Sequence, residues 1–128
     1  MNSILSIGHD IVEINRIQSA YQKYGDKFLR KIYAPNEINY CFSKKNPFPS
    51  LASCFAAKEA VSKAFHCGVG PQFHWKSATV HHQINGRPLI LLDPLAQNLL
   101  QQFNGSEILI TLTHTQSLAS AIALLVNR

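Results

Sequence analysis

A chain of 128 residues, 46% hydrophobic and 15% charged, can bury one domain-sized core, which excludes a disordered tail and makes residues 1–128 a single domain. Its net charge of +5 is spread unevenly: nine of the twelve Lys and Arg fall in residues 1–63, favouring an anionic partner such as nucleic acid, an acidic protein or a phosphorylated small molecule. Three spaced cysteines, Cys41, Cys54 and Cys67, form no CxxC pair, which argues against a disulfide framework or a zinc site and suits a reducing cytoplasm.

Residues 4–12, ILSIGHDIV, combine β-branched side chains with one glycine and predict a first strand. The opening MNSILSIGHDIVEI has no basic segment and Asp10 interrupts its apolar run, so it is not a secretion signal. No stretch approaches the roughly 18 apolar residues of a bilayer span. Asn15 is placed to cap a helix from about Arg16 to Tyr24, stopped by Gly25, and Asp26 to cap a second to about Tyr33. Pro35 opens a third short helix ending near Phe42. NPFPS, residues 46–50, reads as a breaker, with Ser50 capping a long helix from Leu51 to His66. CGVGP, 67–71, follows as a flexible loop.

The second half changes character. SATVHHQI (77–84), the Asn85–Gly86 turn and PLILLD (88–93) make the strongest hairpin signal in the chain. PLAQNLLQQF (94–103) is a helix closed by Asn104–Gly105, and EILITLTHT (107–115) and LASAIALLV (118–126) are two further strands joined around Thr115–Ser117. The fold class is therefore α+β: an N-terminal strand, several helices, then mainly antiparallel strands.

The helix FAAKEAVSKAF, 55–65, is nearly all apolar, yet positions four apart put Phe55, Glu59, Lys63 and roughly His66 on one stripe. A simple Glu–Lys ion pair, worth about 0.3–0.5 kcal/mol, would account for two of them. Asp10 sits inside an apolar strand behind Gly8, a residue that lets another group approach the backbone. A buried carboxylate must be paired or bound to a cation. Two carboxylates from different elements, with no His–Cys cluster around them, suit a hard cation such as Mg²⁺ that shares its coordination with phosphate oxygens. Lys63 would add a positive charge for the same phosphates, the GVG loop with Gly68 and Gly70 would leave room, and His114 in TLTHT could donate to a phosphate or move a proton. His9, His81 and His82 read as surface or packing residues; His74 and Trp75 carry no assignment.

GHDIVEINRI (8–17), FAAKEAVSKAF (55–65) with CGVG (67–70), NGRP (85–88) and THT (113–115) together resemble the holo-acyl-carrier-protein synthases, the short single-domain type of 4′-phosphopantetheinyl transferase. The resemblance runs in order along essentially the whole chain. It implies transfer of the 4′-phosphopantetheine arm of coenzyme A to a serine of an acidic apo-acyl carrier protein, in support of fatty acid biosynthesis. It implies Asp10 and Glu59 as Mg²⁺ ligands, Lys63 as a phosphate contact and His114 near the 3′-phosphate, these four forming the catalytic set. Gly68, Gly70, Asn85, Gly86, Pro88, Thr115 and Lys45 would join Lys63 and His114 around coenzyme A. Arg16, with Lys23 and Lys27, would meet the carrier protein. The family is typically a cytoplasmic homotrimer with sites between subunits, so NGRP and THT would complete a site begun by Asp10 and Glu59 of a neighbour. Glu59, His114 or a water on the metal remain alternatives for accepting the serine proton.

Two positions depart from the family pattern. ASCFAAKE stands where AGRFAAKE is common, so Cys54 replaces an arginine that Lys44 or Lys45 would have to replace; His9 stands where a small or hydroxyl residue is usual. The rival reading is a non-catalytic basic module that binds coenzyme A or an acidic partner. Nucleic acid is disfavoured because aromatic residues are not interleaved with the basic ones.

Overall fold

The computed structural model describes residues 2–128. Its elements are β1 (Ser3–Glu13), α1 (Ile14–Tyr24), α2 (Asp26–Ile32), α3 (Pro35–Phe42), α4 (Phe48–Ala64), β2 (Ala78–His82), β3 (Pro88–Leu92), α5 (Pro94–Gln102), β4 (Glu107–His114) and β5 (Leu118–Asn127). The α+β order expected from the sequence holds. The strands divide into two sheets: an antiparallel three-stranded sheet ordered β1-β5-β4 and a separate β2–β3 hairpin.

α4 lies across the β1–β5 face, and its sequence explains how closely. Ala52, Ala56, Ala57, Ala60 and Ala64 are fully buried, as are Ala121 and Ala123 of β5 to within 1%. Small side chains on both surfaces let helix and sheet backbones approach. The tightest point is Gly8, where an added Cβ would collide with the backbone oxygen of Ala60 and lie 2.7 Å from Ala64 N. Leu51 and Val61, both fully buried, anchor the same helix, each stabilising it by about 1.5–3 kcal/mol.

Strand alternation sends Gly8, Asp10 and Val12 toward α4 and their neighbours Ile7, His9 and Ile11 to the other face. That other face is open. Ile7 is 62% exposed and Ile11 58%, beside Ile122 at 37% on β5.

Several boundaries differ from the sequence reading. α4 begins at Phe48, not Leu51: NPFPS does not break the helix, because Pro49 sits within its first turn, where no intrahelical N–H partner is needed, and Asn46 Oδ1 accepts from Phe48 N at 3.2 Å. Asn15 is a helical residue, not a cap, since α1 starts at Ile14, whose N–H donates to Ser117 O at 2.9 Å. Asp26 is likewise the first residue of α2, with Gly25 as its cap at φ 59°. Asp93 ends no strand; its Oδ1 caps α5 by accepting from Ala96 N at 2.9 Å.

Candidate active site

The stripe on α4 faces β1. Lys63 Nζ donates to Asp10 Oδ1 at 2.9 Å and to His9 O at 3.3 Å. Asp10 is shielded, with its side chain 15% exposed, whereas Lys63 is about half exposed. Ser120 Oγ of β5 donates to Asp10 O at 3.1 Å and pairs with His9 Nε2 at 2.9 Å, which ties this segment of β1 to its neighbour. One turn before Lys63, Glu59 is partly buried. Burial raises its carboxyl above the usual range, the Asp10 charge adds to this, and Lys63 opposes it.

Two carboxylates that repel each other, with one lysine bonded to Asp10 and partly offsetting the charge on Glu59, form an electron-rich pair suited to a hard divalent cation. Among the described residues, no group of three or more His, Cys, Asp or Glu is clustered to hold a metal. The donor set therefore fits Mg²⁺, which accepts one or two carboxylates and completes its shell with water and phosphate oxygens, and not a closed zinc cage.

The stripe continues at both ends. Phe55 stacks on Trp75 with centroids 4.9 Å apart. Beyond Lys63, His66 takes a φ of 62°, and its Nε2 meets Ser6 Oγ at 3.1 Å. Gly68 and Gly70 lie in the following loop with nothing within 4 Å of an added Cβ, so the backbone there is open to a ligand.

A second group gathers elsewhere. A cleft of about 250 Å³ is lined by Tyr40, Ser50, Ser53, Cys54, His82, Gly86, Pro88 and the β4 residues Thr111 to His114. The turn beneath it differs from the two-residue type that Asn-Gly favours: Gly86 adopts φ 88° but Asn85 does not have a positive φ, Gly86 N donates to Gln83 O at 2.8 Å, and Asn85 Oδ1 accepts from Arg87 N at 3.0 Å. His114 is exposed, its Nδ1 meeting Thr115 O at 3.2 Å. Thr115 Oγ1 accepts from Ser117 N and Leu118 N and so shapes the β4–β5 connection.

His82 packs, one of the two readings the sequence left open. Its ring stacks on Tyr40 at 3.8 Å and 5°, and Lys44 Nζ lies 4.8 Å over the other partner of that stack, Tyr40. Burial, then the Lys44 charge, lowers the His82 pKa and keeps it neutral at pH 7. Lys44 thus borders the cleft, whereas Lys45 is exposed in the α3–α4 connection. Cys54 is 2% exposed. A hydrogen bond with Cys41 and then burial push its thiol up, so the cleft floor carries a neutral group where an arginine is common in the family.

One chain does not unite the two groups. Asp10 stands on β1 level with Leu112 of β4, and His114 on β4 is level with Val12, so their backbones are two strand spacings across the sheet and two residues along it, roughly 12 Å apart. Arg16 and Lys23 are exposed on α1. Lys27 borders a groove of about 390 Å³ with Ala20, Tyr24, Phe28, Lys31, Ile32 and Trp75, which gives Trp75 a place beside the basic helices.

Sequence reasoning left out Glu37 and gave Lys58 no role, yet they form an ion pair of 2.8 Å with neither side chain exposed. The available signal was a lone lysine on the apolar side of α4.

Comparison with known proteins agrees with this geometry. A family model described as the 4′-phosphopantetheinyl transferase superfamily matches residues 6–122. The holo-acyl-carrier-protein synthase of Chlamydia trachomatis is 40% identical over 121 residues, covering 94% of this chain and 98% of its own. The crystal structure of the Helicobacter pylori holo-acyl-carrier-protein synthase in complex with coenzyme A superposes with a TM-score of 0.83 at 31% identity, covering 93% of this chain and 98% of its own. That of the Neisseria meningitidis synthase gives 0.87 at 27%, covering 96% and 98%. Matched over nearly its whole length in sequence and in fold, this chain belongs to the 4′-phosphopantetheinyl transferase superfamily.

Proposed function

We propose that this chain transfers the 4′-phosphopantetheine arm of coenzyme A to a serine hydroxyl of an acidic apo-acyl carrier protein, leaving adenosine 3′,5′-bisphosphate. The observation that carries the reading is the Asp10–Lys63 contact of 2.9 Å beside the strained carboxyl of Glu59, inside the segment matched by the family. Asp10 and Glu59 would hold Mg²⁺, which when bound neutralises pyrophosphate charge. Lys63, about half exposed beside Asp10, would meet a phosphate oxygen. An alkoxide approaching a dianionic pyrophosphate is repelled, so charge neutralisation and in-line holding are what the protein must supply. Glu59, whose carboxyl burial raises above the usual range, would be one acceptor for the serine proton, with His114 or a water on the metal as the alternatives.

Arg16, Lys23 and Lys27 would draw in the acidic carrier and set its approach to the α1 face. His114, Gly86 and Pro88 would hold the nucleotide end of coenzyme A in the 250 Å³ cleft, with Asn85 shaping the turn, and Thr115 and the exposed Lys45 would add contacts to it. Asp10 and this cleft lie at opposite edges of the three-stranded sheet, which supports a site completed by a second copy. The open face bearing Ile7, Ile11 and Ile122 supplies an apolar surface for that association, which we take to be a homotrimer. Residues 1–128 act as one transferase domain. No helix among the described residues is long and apolar enough to cross a membrane, and the three free cysteines support a cytoplasmic setting.

Intact-mass spectrometry of an apo-acyl carrier protein with coenzyme A and Mg²⁺ tests the reading. A metal-dependent gain of one phosphopantetheine is expected. Coenzyme A binding without any gain would instead favour the non-catalytic module.

A further inference from the structure

A buried polar cluster that the transferase reading leaves unused joins α3, α4 and β2. Lys58 Nζ donates to Glu37 Oε1 at 2.8 Å and to Ala78 O at 2.8 Å. Glu37 Oε2 accepts from Val80 N at 2.8 Å, and Oε1 also accepts from Ala34 N at 2.9 Å. Both side chains are wholly buried. Stability alone is a poor reason for such a pair, since apolar residues of similar volume often do as well or better.

The partners of the pair suggest a different reason. In the β2–β3 ladder Ala78 opposes Leu92 and Val80 opposes Ile90, while Ser77 O accepts from Asp93 N and Gln83 N donates to Arg87 O. Antiparallel pairs alternate between bonded and non-bonded, so Ala78 and Val80 turn their backbone groups away from β3. The ammonium answers one outward carbonyl and the carboxylate one outward amide. The ion pair thus takes the place that a neighbouring strand would fill on this edge. An apolar pair would occupy the volume and leave both groups unsatisfied. α3 adds two contacts along the same edge: Asn36 Nδ2 donates to Val80 O at 3.3 Å, and Tyr40 stacks on His82.

We infer that Glu37 and Lys58 are positioning residues for the transfer reaction, fixing the β2–β3 hairpin, with His82, Gly86 and Pro88 of the cleft, on the helix that carries Glu59 and Lys63. The kinetic consequence rests on the transferase reading; the mechanical one does not. Lys58 is the residue immediately before Glu59, so one helical segment sets both the acid and the hairpin. Loss of the pair would let the hairpin shift in the cleft without removing any group that touches substrate.

The test compares three proteins: wild type, the neutral double variant Glu37→Gln/Lys58→Met, and a core variant of α4, Val61→Ala, compared at equal distance below each melting temperature. Two quantities are read, residue-resolved amide exchange and the KM for coenzyme A. The double variant is expected to exchange at Val80 and His82 at least tenfold faster than wild type. Its KM for coenzyme A should rise about tenfold with kcat within threefold, and Val61→Ala should reproduce neither effect. Equal exchange and equal KM in the double variant and the core variant would overturn the inference, leaving the pair a structural one only. If the wild type transfers nothing, the activity reading fails by itself, and the exchange comparison still decides the mechanical claim. Should the double variant not melt cooperatively, Glu37→Asp, which keeps both charges and shortens the carboxylate's reach to Val80 N, carries the same comparison.

Discussion

Gly8→Ala is the most informative single change, because it perturbs the site without touching a reacting group. The added Cβ would overlap Ala60 O and sit 2.7 Å from Ala64 N and 2.9 Å from Ala60 C, all backbone atoms of α4. Backbone cannot rotate away as a side chain does, so helix and strand must separate by about 1 Å, a cost at the upper end of overpacking, about 3 kcal/mol. For a chain of 128 residues that corresponds to a melting temperature lower by about 10 °C. Asp10 lies two residues along the same strand face, and its 2.9 Å contact with Lys63 bridges the same helix–strand gap. Displacement of about 1 Å at a reacting centre costs on the order of 100-fold in rate. Calorimetry gives the first quantity, and transfer to a carrier protein assayed at 15 °C or below, where the variant remains folded, gives the second. A melting temperature within about 3 °C of wild type together with transfer within threefold would refute the close-approach argument.

Glu59→Gln should lower Mg²⁺-dependent transfer by at least about 100-fold, as should Asp10→Ala, with far-ultraviolet dichroism unchanged; normal turnover in either removes the metal assignment. Glu59→Gln should also melt higher than wild type at pH 7. The folded Glu59 pKa is raised above its unfolded value by burial and by Asp10, so wild-type stability from this group falls as pH rises from the unfolded value through the folded one. The gain is expected to be about 1–2 °C at this partly exposed position, and to vanish near pH 4, where the wild-type carboxyl is protonated; a gain that persists at pH 4 contradicts the electrostatic cause. Arg16→Glu should raise the KM for carrier protein about tenfold while the KM for coenzyme A stays within twofold, and the effect should shrink in high salt. Ile7→Asp should convert the proposed trimer to monomer in sedimentation and abolish transfer together; an active monomer would show that one chain holds a complete site.

The sequence by itself determined the element order, because local signals carry it. β-branched side chains around a glycine marked β1, Pro35 and the Asn85–Gly86 turn marked their elements, and four-residue spacing put Glu59 and Lys63 on one stripe. Gly8 could be read as a close approach because glycine inside an apolar strand has few other uses. The start of α4 was misread because a proline-rich stretch breaks a helix in its interior and begins one at its first turn, and only the surrounding packing distinguishes the two. The fold alone decided that the strands form two sheets and that Asp10 and His114 stand on opposite edges. The fold also decided that Lys58 meets a carboxylate 21 residues away. Periodicity reports which face of an element is apolar and nothing about which element covers it. Pairings between distant residues are set by burial and by the backbone groups left over at an edge, and these exist only once the chain has folded.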